Sequence, residues 1–154
     1  MTYDIASKSP ASTQDVAARL ASFLKGGEVI ELTSDLGGGK TTFVQGLARG
    51  LGYRADVTSP TFVLSRVYQI SADLEIHHYD LYRLGISGVI GEQLAEDLKD
   101  PHVVTIIEWA GLVEHQLPDD RVTVTLELTG DESRNLKFVS GGPVSNRLLK
   151  ELKS

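Results

Sequence analysis

The stretch from Leu32 to Thr42 reads LTSDLGGGKTT and combines three glycines with a lysine and two threonines at its end. Glycine lets the backbone adopt positive φ and approach a ligand closely, lysine supplies a compact positive charge, and a threonine hydroxyl can ligate a divalent cation. These residue types are those of a phosphate-binding loop, whose pattern is G-x-x-x-x-G-K-[ST]. Gly39, Lys40 and Thr41 match this pattern, while Ser34 stands at the position of its first glycine.

The segments on either side of the loop predict a strand before it and a helix after it. Residues Glu28 to Leu32 (EVIEL) form a short apolar run that is bounded by glycines and by the loop, which indicates a buried strand. Beyond Thr41, apolar residues recur at helical spacing up to Gly52, namely at Phe43, Val44, Leu47, Ala48 and Leu51. A strand that runs through a glycine-rich turn into a helix makes backbone N–H groups converge at the positive end of the helix dipole, which is a phosphate-binding geometry.

Each residue type in the loop has a role in this geometry. Gly37 and Gly39 permit positive φ, Lys40 can span the β- and γ-phosphates, and the Thr41 hydroxyl is placed to ligate Mg²⁺. The expected nucleotide-contacting residues of the loop are Asp35, Leu36, Gly37, Gly38, Gly39, Lys40, Thr41 and Thr42. A glycine-rich connection without a ligand is the alternative, but a lysine and a hydroxyl at the first helical positions after a buried strand favour the nucleotide site.

Such a site also needs an acidic residue near the metal ion, usually at the end of a buried strand. Glu108 ends the apolar run VVTIIE, and Asp80 follows the strand-like residues of HHYDLYRL, so both are candidates for the metal and catalytic role. An acidic residue at the end of a strand can also simply mark the point where the strand reaches solvent. His77 and His78 are adjacent on a strand and point to opposite faces, so we interpret them as packing or supporting groups, not as zinc ligands.

The rest of the chain alternates between helix-like and strand-like segments. A helix is predicted from Ser12 or Thr13, as its N-cap, to the glycine pair Gly26 and Gly27. Further predicted elements are a hairpin from TFVLSRVYQI to LEIHHYDLYRL, a helix in VIGEQLAEDLKD, a central strand in HVVTIIEW and a second hairpin from RVTVTLEL to NLKFVS. We therefore expect one α/β domain over residues 1–154, with a mixed β-sheet flanked by helices. Residues 144–154 either add a helical turn or fray.

Length and composition restrict the function further. The chain has 154 residues, no cysteine and a formal net charge of −6. The lack of cysteine is typical of a reducing compartment, and no segment reaches the ~20 apolar residues of a membrane span, so we expect a cytoplasmic protein without a membrane partner. The negative charge opposes direct binding to nucleic acid.

Five segments occur in an order and spacing that closely resemble one known family: DLGGGKTTFVQGLARGLG, VTSPTFVLSRVY, HHYDLYRL, IIEWAG and LPDDR. The family is TsaE (YjeE), small bacterial P-loop ATPases that serve tRNA threonylcarbamoyladenosine biosynthesis. The resemblance implies a P-loop NTPase fold, binding of ATP or ADP with Mg²⁺, and slow ATP hydrolysis. It also implies action with a two-protein threonylcarbamoyltransferase complex of the TsaB and TsaD type, through which the protein would meet tRNA only indirectly.

The resemblance assigns roles to individual residues as well. These are Lys40 and Thr41 at the phosphates and Mg²⁺, Thr61 in a switch-like loop, Asp80 and Glu108 at the metal and the attacking water, and Trp109 near the nucleotide. The loop that contains Thr61 either closes over the γ-phosphate or is an ordinary turn. The sequence departs from the family at Ser34, where glycine is usual, and at Gly38, where alanine is frequent.

Two other functions are compatible with a nucleotide site. A small-molecule kinase on the same fold is expected to carry an arginine-bearing lid and an acceptor pocket, and the sequence has no long insertion for such a lid. A scaffold that binds nucleotide without turnover is the second alternative. We expect an ATPase whose product is a conformational change in a partner assembly.

Overall fold

The computed structural model describes residues 1–35, 37–57, 65–81 and 88–154. Its centre is a seven-stranded sheet made of β1 (Thr2–Ser7), β2 (Val29–Thr33), β3 (Ser65–Ser71), β4 (Leu74–Asp80), β5 (Val103–Glu108), β6 (Val122–Leu128) and β7 (Arg134–Ser140). The helices are α1 (Pro10–Ala21), α2 (Lys40–Gly50), α3 (Gly88–Asp97) and α4 (Pro143–Lys153), with two short 3₁₀ turns at Ala110–Leu112 and Glu114–Gln116. None of the helices in these ranges is long and apolar enough to cross a membrane.

The sheet is mixed, with parallel strands at its centre and antiparallel strands towards its edges. The strand order is β1-β7-β6-β2-β5-β4-β3. Strand β2 runs parallel to β5 and β6, and β5 runs parallel to β4. The pairs β3/β4, β6/β7 and β1/β7 are antiparallel, so both predicted hairpins and the central position of β5 are confirmed. The carboxyl ends of β2, β4, β5 and β6 consequently lie at one edge of the sheet.

Apolar residues cover both faces of the sheet. All six residues of β5 are buried, as expected for a central parallel strand. One core cluster joins the sheet to α1, α2 and α4, and a smaller one joins the other face to α3 and the first 3₁₀ turn. Neighbouring residues of β5 belong to different clusters: Ile106 lies in the first and Ile107 in the second. The carboxyl end of β5 is therefore held firmly between two layers.

Helix α1 begins earlier than the sequence suggested. Its N-cap is Ser9, whose hydroxyl accepts a hydrogen bond from the Ser12 N–H at 3.1 Å, and Pro10 occupies the first helical position. The predicted cap at Ser12 or Thr13 was therefore wrong. Proline already has helical φ and needs no N–H donor there, so it starts the helix one turn before the periodic apolar residues. Thr13 is buried instead, and its hydroxyl lies 2.6 Å from that of Ser7.

The segment whose state the sequence left open forms the helix α4. Asp120 accepts hydrogen bonds from the Val144 N–H, the Ser145 N–H and the Ser145 hydroxyl at 2.7–2.9 Å, and so caps the first turn of this helix. Partial burial acts to raise the pKa of Asp120, but these hydrogen bonds outweigh it and the pKa lies below its usual range. The cap and the apolar face of α4 together fix the helix on the sheet.

Candidate functional site

The glycine-rich loop lies between β2 and α2 as predicted. Gly37 has φ +76° and Gly39 has φ +99°, so both adopt the left-handed conformation that glycine tolerates best. Helix α2 starts at Lys40, and no side chain in the described part of the chain caps its first turn. The backbone N–H groups of that turn can thus be given to an anion. Leu36, an expected contact residue, lies outside the described residues.

Lys40 is held between a hydroxyl and an aromatic ring. Its Nζ donates a hydrogen bond to Ser34 Oγ at 3.0 Å and lies 4.5 Å from the centroid of the Trp109 ring. The latter distance is well within the range of a cation–π interaction. Only 8% of Lys40 is exposed. The structure therefore brings together Lys40 and Trp109, which the sequence assigned to the same site from separate segments.

Trp109 also has an unusual backbone. Among the described residues it is the one non-glycine residue with positive φ, at φ 59° and ψ 50°. A bulky residue in this region is strained by roughly 1 kcal/mol or more, and such strain is frequent at functional sites. The left-handed backbone of Trp109 lies between the end of β5 and the 3₁₀ turn Ala110–Leu112. In this conformation the Trp109 ring contacts Lys40.

The two candidate acids end neighbouring parallel strands. Asp80 and Glu108 are paired in the register of β4 and β5, and Glu108 is paired with Leu32 in the register of β2 and β5. Both acids therefore lie at the sheet edge from which the phosphate-binding loop leaves β2. Glu108 is 2% exposed, and Asp80 is partly exposed. Their position agrees with the predicted metal and catalytic role of either residue.

His78 supports Glu108 from within the sheet. It is fully buried, and its Nε2 donates to Glu108 Oε1 at 3.2 Å. Its Nδ1 has no hydrogen-bond partner within the described ranges. A buried carboxylate needs a partner, and His78 supplies one that fixes the orientation of Glu108.

His77 lies on the opposite face and serves a different purpose. Its Nδ1 lies 2.7 Å from Asp97 Oδ2 at the end of α3, and the Tyr79 hydroxyl donates to the same carboxylate. Burial, followed by the hydrogen bond to Asp97, raises the pKa of Tyr79 above its usual range. This cluster attaches α3 to β4. The described ranges contain no group of three or more His, Asp or Glu side chains that could together hold a metal ion.

One contact to the loop comes from a residue that the sequence did not single out. Arg134 at the start of β7 donates from Nε to the Gly38 carbonyl oxygen at 3.0 Å. Its Nη1 donates to the carbonyl oxygens of Gly130, Asp131 and Ser133, within the turn that joins β6 to β7. Arg134 therefore joins this turn to the phosphate-binding loop. No local pattern marks this arginine, because the contact depends on the pairing of β6 and β7.

A cavity of about 470 Å³ lies beside the loop. Its lining comes from the end of β2, the loop and the end of β6, namely Thr33, Ser34, Asp35, Gly38, Thr125, Leu126, Glu127 and Leu128. The volume is in the range of small-molecule sites. Thr61, which was expected in a switch-like loop, lies outside the described residues.

Comparison with known proteins identifies the family. Residues 7–136 match the family model described as threonylcarbamoyl adenosine biosynthesis protein TsaE. The chain belongs to the TsaE family. The recognition of this family from the sequence is therefore confirmed. TsaE is a family of P-loop nucleotide-binding proteins.

Similar TsaE proteins cover most of the chain. One from Bacillus subtilis is 38% identical over 93% of this chain and 89% of its own length, and one from Streptomyces coelicolor is 36% identical over 82% and 87%. Both are named tRNA threonylcarbamoyladenosine biosynthesis protein TsaE. The crystal structure of Bacillus subtilis YdiB is also similar, with a TM-score of 0.83 and 31% identity over 99% of this chain and 95% of YdiB. The predicted P-loop NTPase fold is thereby confirmed.

Proposed function

We propose that this TsaE protein binds ATP with Mg²⁺ and hydrolyses it. We further propose that this cycle drives or resets a two-protein threonylcarbamoyltransferase complex of the TsaB and TsaD type, which makes N6-threonylcarbamoyladenosine at position 37 of tRNAs. The supporting observation is the convergence of the loop, Lys40 and two acidic residues at one edge of the sheet. The names of the similar proteins support the pathway.

The binding step follows from the geometry of the loop. The backbone N–H groups at the start of α2 and the ammonium group of Lys40 meet the β- and γ-phosphates, where charge-assisted hydrogen bonds are roughly twice as strong as neutral ones. We assign the nucleoside to the cavity between the loop and β6, because this cavity adjoins Ser34, Asp35 and Gly38 of the loop. Thr41 and one or both of Asp80 and Glu108 would hold Mg²⁺ through oxygen ligands, which fits the preference of Mg²⁺ for few protein ligands beside phosphates and waters.

Hydrolysis then depends on the acidic residues. When bound, Mg²⁺ neutralises the charge that develops on the phosphate oxygens. Glu108, oriented by His78, or Asp80 orients the attacking water and accepts its proton. Because the protein contributes little covalent chemistry to phosphoryl transfer, positioning and electrostatic stabilisation carry most of the catalysis. We expect slow turnover by the protein alone and faster turnover with its partners.

The binding site is tested with Lys40→Ala. Loss of a charged donor to the phosphates should weaken ATP binding by about 10- to 100-fold, measured by titration calorimetry. Lys150→Ala is the matched control, because Lys150 is an exposed lysine on α4 outside the site. Unchanged ATP affinity in a folded Lys40→Ala protein contradicts the assignment.

The choice between the acids is tested with Glu108→Gln and Asp80→Asn. The variant of the principal acid should lose phosphate release at saturating ATP by far more than it loses ADP affinity, because its charge matters most in the transition state. Parallel losses of turnover and ADP affinity in both variants count against a catalytic role for either residue.

The partner role is tested with a reconstituted transferase pair and tRNA. Phosphate release should accelerate in the complex, and threonylcarbamoyl transfer over many turnovers should require the wild-type protein and fail with Lys40→Ala. The chain is acidic, so its route to tRNA runs through the partner proteins. Threonylcarbamoyl transfer that cycles equally well without this protein favours the alternative of a small-molecule kinase. Transfer that requires the protein without phosphate release favours the passive scaffold.

A further inference from the structure

We propose that Ser34 is a positioning residue for Lys40 and that its side chain is the reason why residue 38 is glycine. The proposal rests on the proposed function, because it concerns the same phosphate-binding loop. It assigns a role to the one position in this loop at which the sequence departs from the phosphate-binding pattern.

The hydrogen bonds of Ser34 fix the direction of its hydroxyl. The hydroxyl has one proton and donates it to the Asp35 carbonyl oxygen at 2.8 Å. Ser34 Oγ therefore meets Lys40 Nζ, 3.0 Å away, as an acceptor. Because the donor direction is occupied, the lone pairs are available to the lysine. Ser34 thus supplies an oriented acceptor in the loop.

Lys40 is constrained from a second side by Trp109. The ring of Trp109 lies 4.5 Å from Nζ and attracts the positive charge without using a particular N–H group. An ammonium group has three N–H donors, so the contact with Ser34 leaves two for phosphate oxygens. Lysine has a flexible stem that loses rotamer freedom on binding, and a side chain that is already held in place loses less. Ser34 and Trp109 together prepare Lys40 for the phosphates.

The same serine limits what can stand at residue 38. A Cβ atom on Gly38 would lie 2.3 Å from Ser34 Oγ and 2.5 Å from Ser34 Cβ, distances at which the atoms overlap. Gly38 does not have positive φ, so its backbone conformation by itself does not require glycine. A third contact, with the Asp35 carbonyl oxygen at 2.9 Å, is also too short for a Cβ atom and involves the backbone, so the loop must shift there as well, but this overlap is smaller than the two with Ser34. The main obstacle to a side chain at residue 38 is therefore Ser34.

The positioning role is tested with Ser34→Ala, which removes the hydroxyl and keeps Cβ. ATP affinity should fall about tenfold, since a hydrogen bond to a charged group is lost, and ADP affinity should fall less, about threefold, since Lys40 spans both phosphates of the β–γ pair only in ATP. Ser22→Ala is the matched control, because the Ser22 hydroxyl donates to a carbonyl oxygen at the end of α1, away from the loop. Unchanged affinities, or equal losses for ATP and ADP, overturn the positioning role.

The steric role is tested by adding the same methyl group in two backgrounds. Gly38→Ala in the wild-type protein should weaken ATP binding by about 10- to 100-fold, because an overpacked loop must move. Gly38→Ala in Ser34→Gly should cost less, about threefold relative to Ser34→Gly alone, because only the smaller overlap with the Asp35 carbonyl oxygen remains. Denaturant unfolding without nucleotide should give the same pattern for the wild type, Gly38→Ala, Ser34→Gly and the double variant, with the larger loss of stability on adding Gly38→Ala to the wild type. Equal losses in both backgrounds overturn the steric role, because glycine would then be needed for another reason.

These outcomes are separate from a failure of the proposed function. If the wild-type protein and Lys40→Ala bind ATP equally, the nucleotide site itself is wrong. If Lys40→Ala loses affinity while Ser34→Ala does not, the site is right and the role of Ser34 is wrong.

Discussion

Gly46 in the middle of α2 is a position where helix propensity and packing predict opposite effects. Alanine is favoured over glycine inside a helix by about 1 kcal/mol. At Gly46, however, an added Cβ would lie 2.5 Å from the Gln14 carbonyl oxygen, 2.7 Å from Gln14 Cα and 2.8 Å from Ala17 Cβ. Two of these atoms belong to the backbone of α1 and cannot rotate away, so α1 and α2 must separate.

The magnitude follows from these two opposing effects. Overpacking of this kind costs roughly 1–3 kcal/mol, and backbone contacts place Gly46→Ala in the upper half of that range. After subtraction of the gain in propensity, we expect a net loss of about 1–2 kcal/mol in the free energy of unfolding. For a chain of this size, the melting temperature should fall by about 2–8 °C.

The assay is urea and thermal unfolding followed by circular dichroism. Gly111→Ala is the matched control, because nothing lies within 4 Å of its added Cβ, and its stability should stay within about 0.5 kcal/mol of the wild type. Since α2 also carries Lys40, ATP affinity of Gly46→Ala should fall as well. A Gly46→Ala protein that is as stable as the wild type, or more stable, refutes the packing argument.

Three further predictions concern other parts of the molecule. Asp120→Ala should cost about 0.5–2 kcal/mol in the free energy of unfolding measured in urea. This difference should vanish as the pH falls from the ordinary aspartate pKa through the lowered pKa of folded Asp120, because a depressed pKa stabilises the fold only while the carboxylate is charged. A difference that grows in acid is the contrary result. Tyr79→Phe should lose about 1.5–3 kcal/mol of stability, since Asp97 keeps its burial and loses a donor; an unchanged denaturation midpoint excludes this role. Trp109 is the one tryptophan in the chain, so its fluorescence emission should change saturably when Mg·ATP is added to the wild-type protein and should not change in Lys40→Ala. A flat titration, with binding shown independently, places the ring away from the nucleotide.

Much of the fold could be predicted because its central signals are local. The run EVIEL, the glycines and Lys40 specify strand, loop and helix within a few residues of each other, and alternating residues specify both hairpins. Strand β1 was not predicted, because its partner β7 lies at the far end of the sequence, as in the pair Thr2 and Val139. An edge strand with half of its residues exposed gives only a weak apolar pattern.

The candidate site was likewise predictable only where its signals are local in the sequence. Lys40 and the acids at strand ends follow from types and spacing, and the closeness of Asp80 and Glu108 required only that β4 and β5 be neighbours. The bond between His78 and Glu108 and the contact of Arg134 with Gly38 could not be predicted, because each depends on the register of strands that are distant in sequence.

The position of β2 in the sheet has a consequence for the synthesis of the protein. Both of its neighbours come much later in the chain, since Ile30 pairs with Ile106 of β5 and with Val122 of β6. Synthesis proceeds from the N-terminus, and pairings between distant segments form late. When Lys40 has just left the ribosome, the nascent chain therefore carries the whole phosphate-binding loop, but neither β5 nor β6, the two strands that flank β2, has been synthesised. The site is assembled only after β6 has emerged, so a chain stalled before Leu128 has the loop residues and cannot yet hold a nucleotide between them.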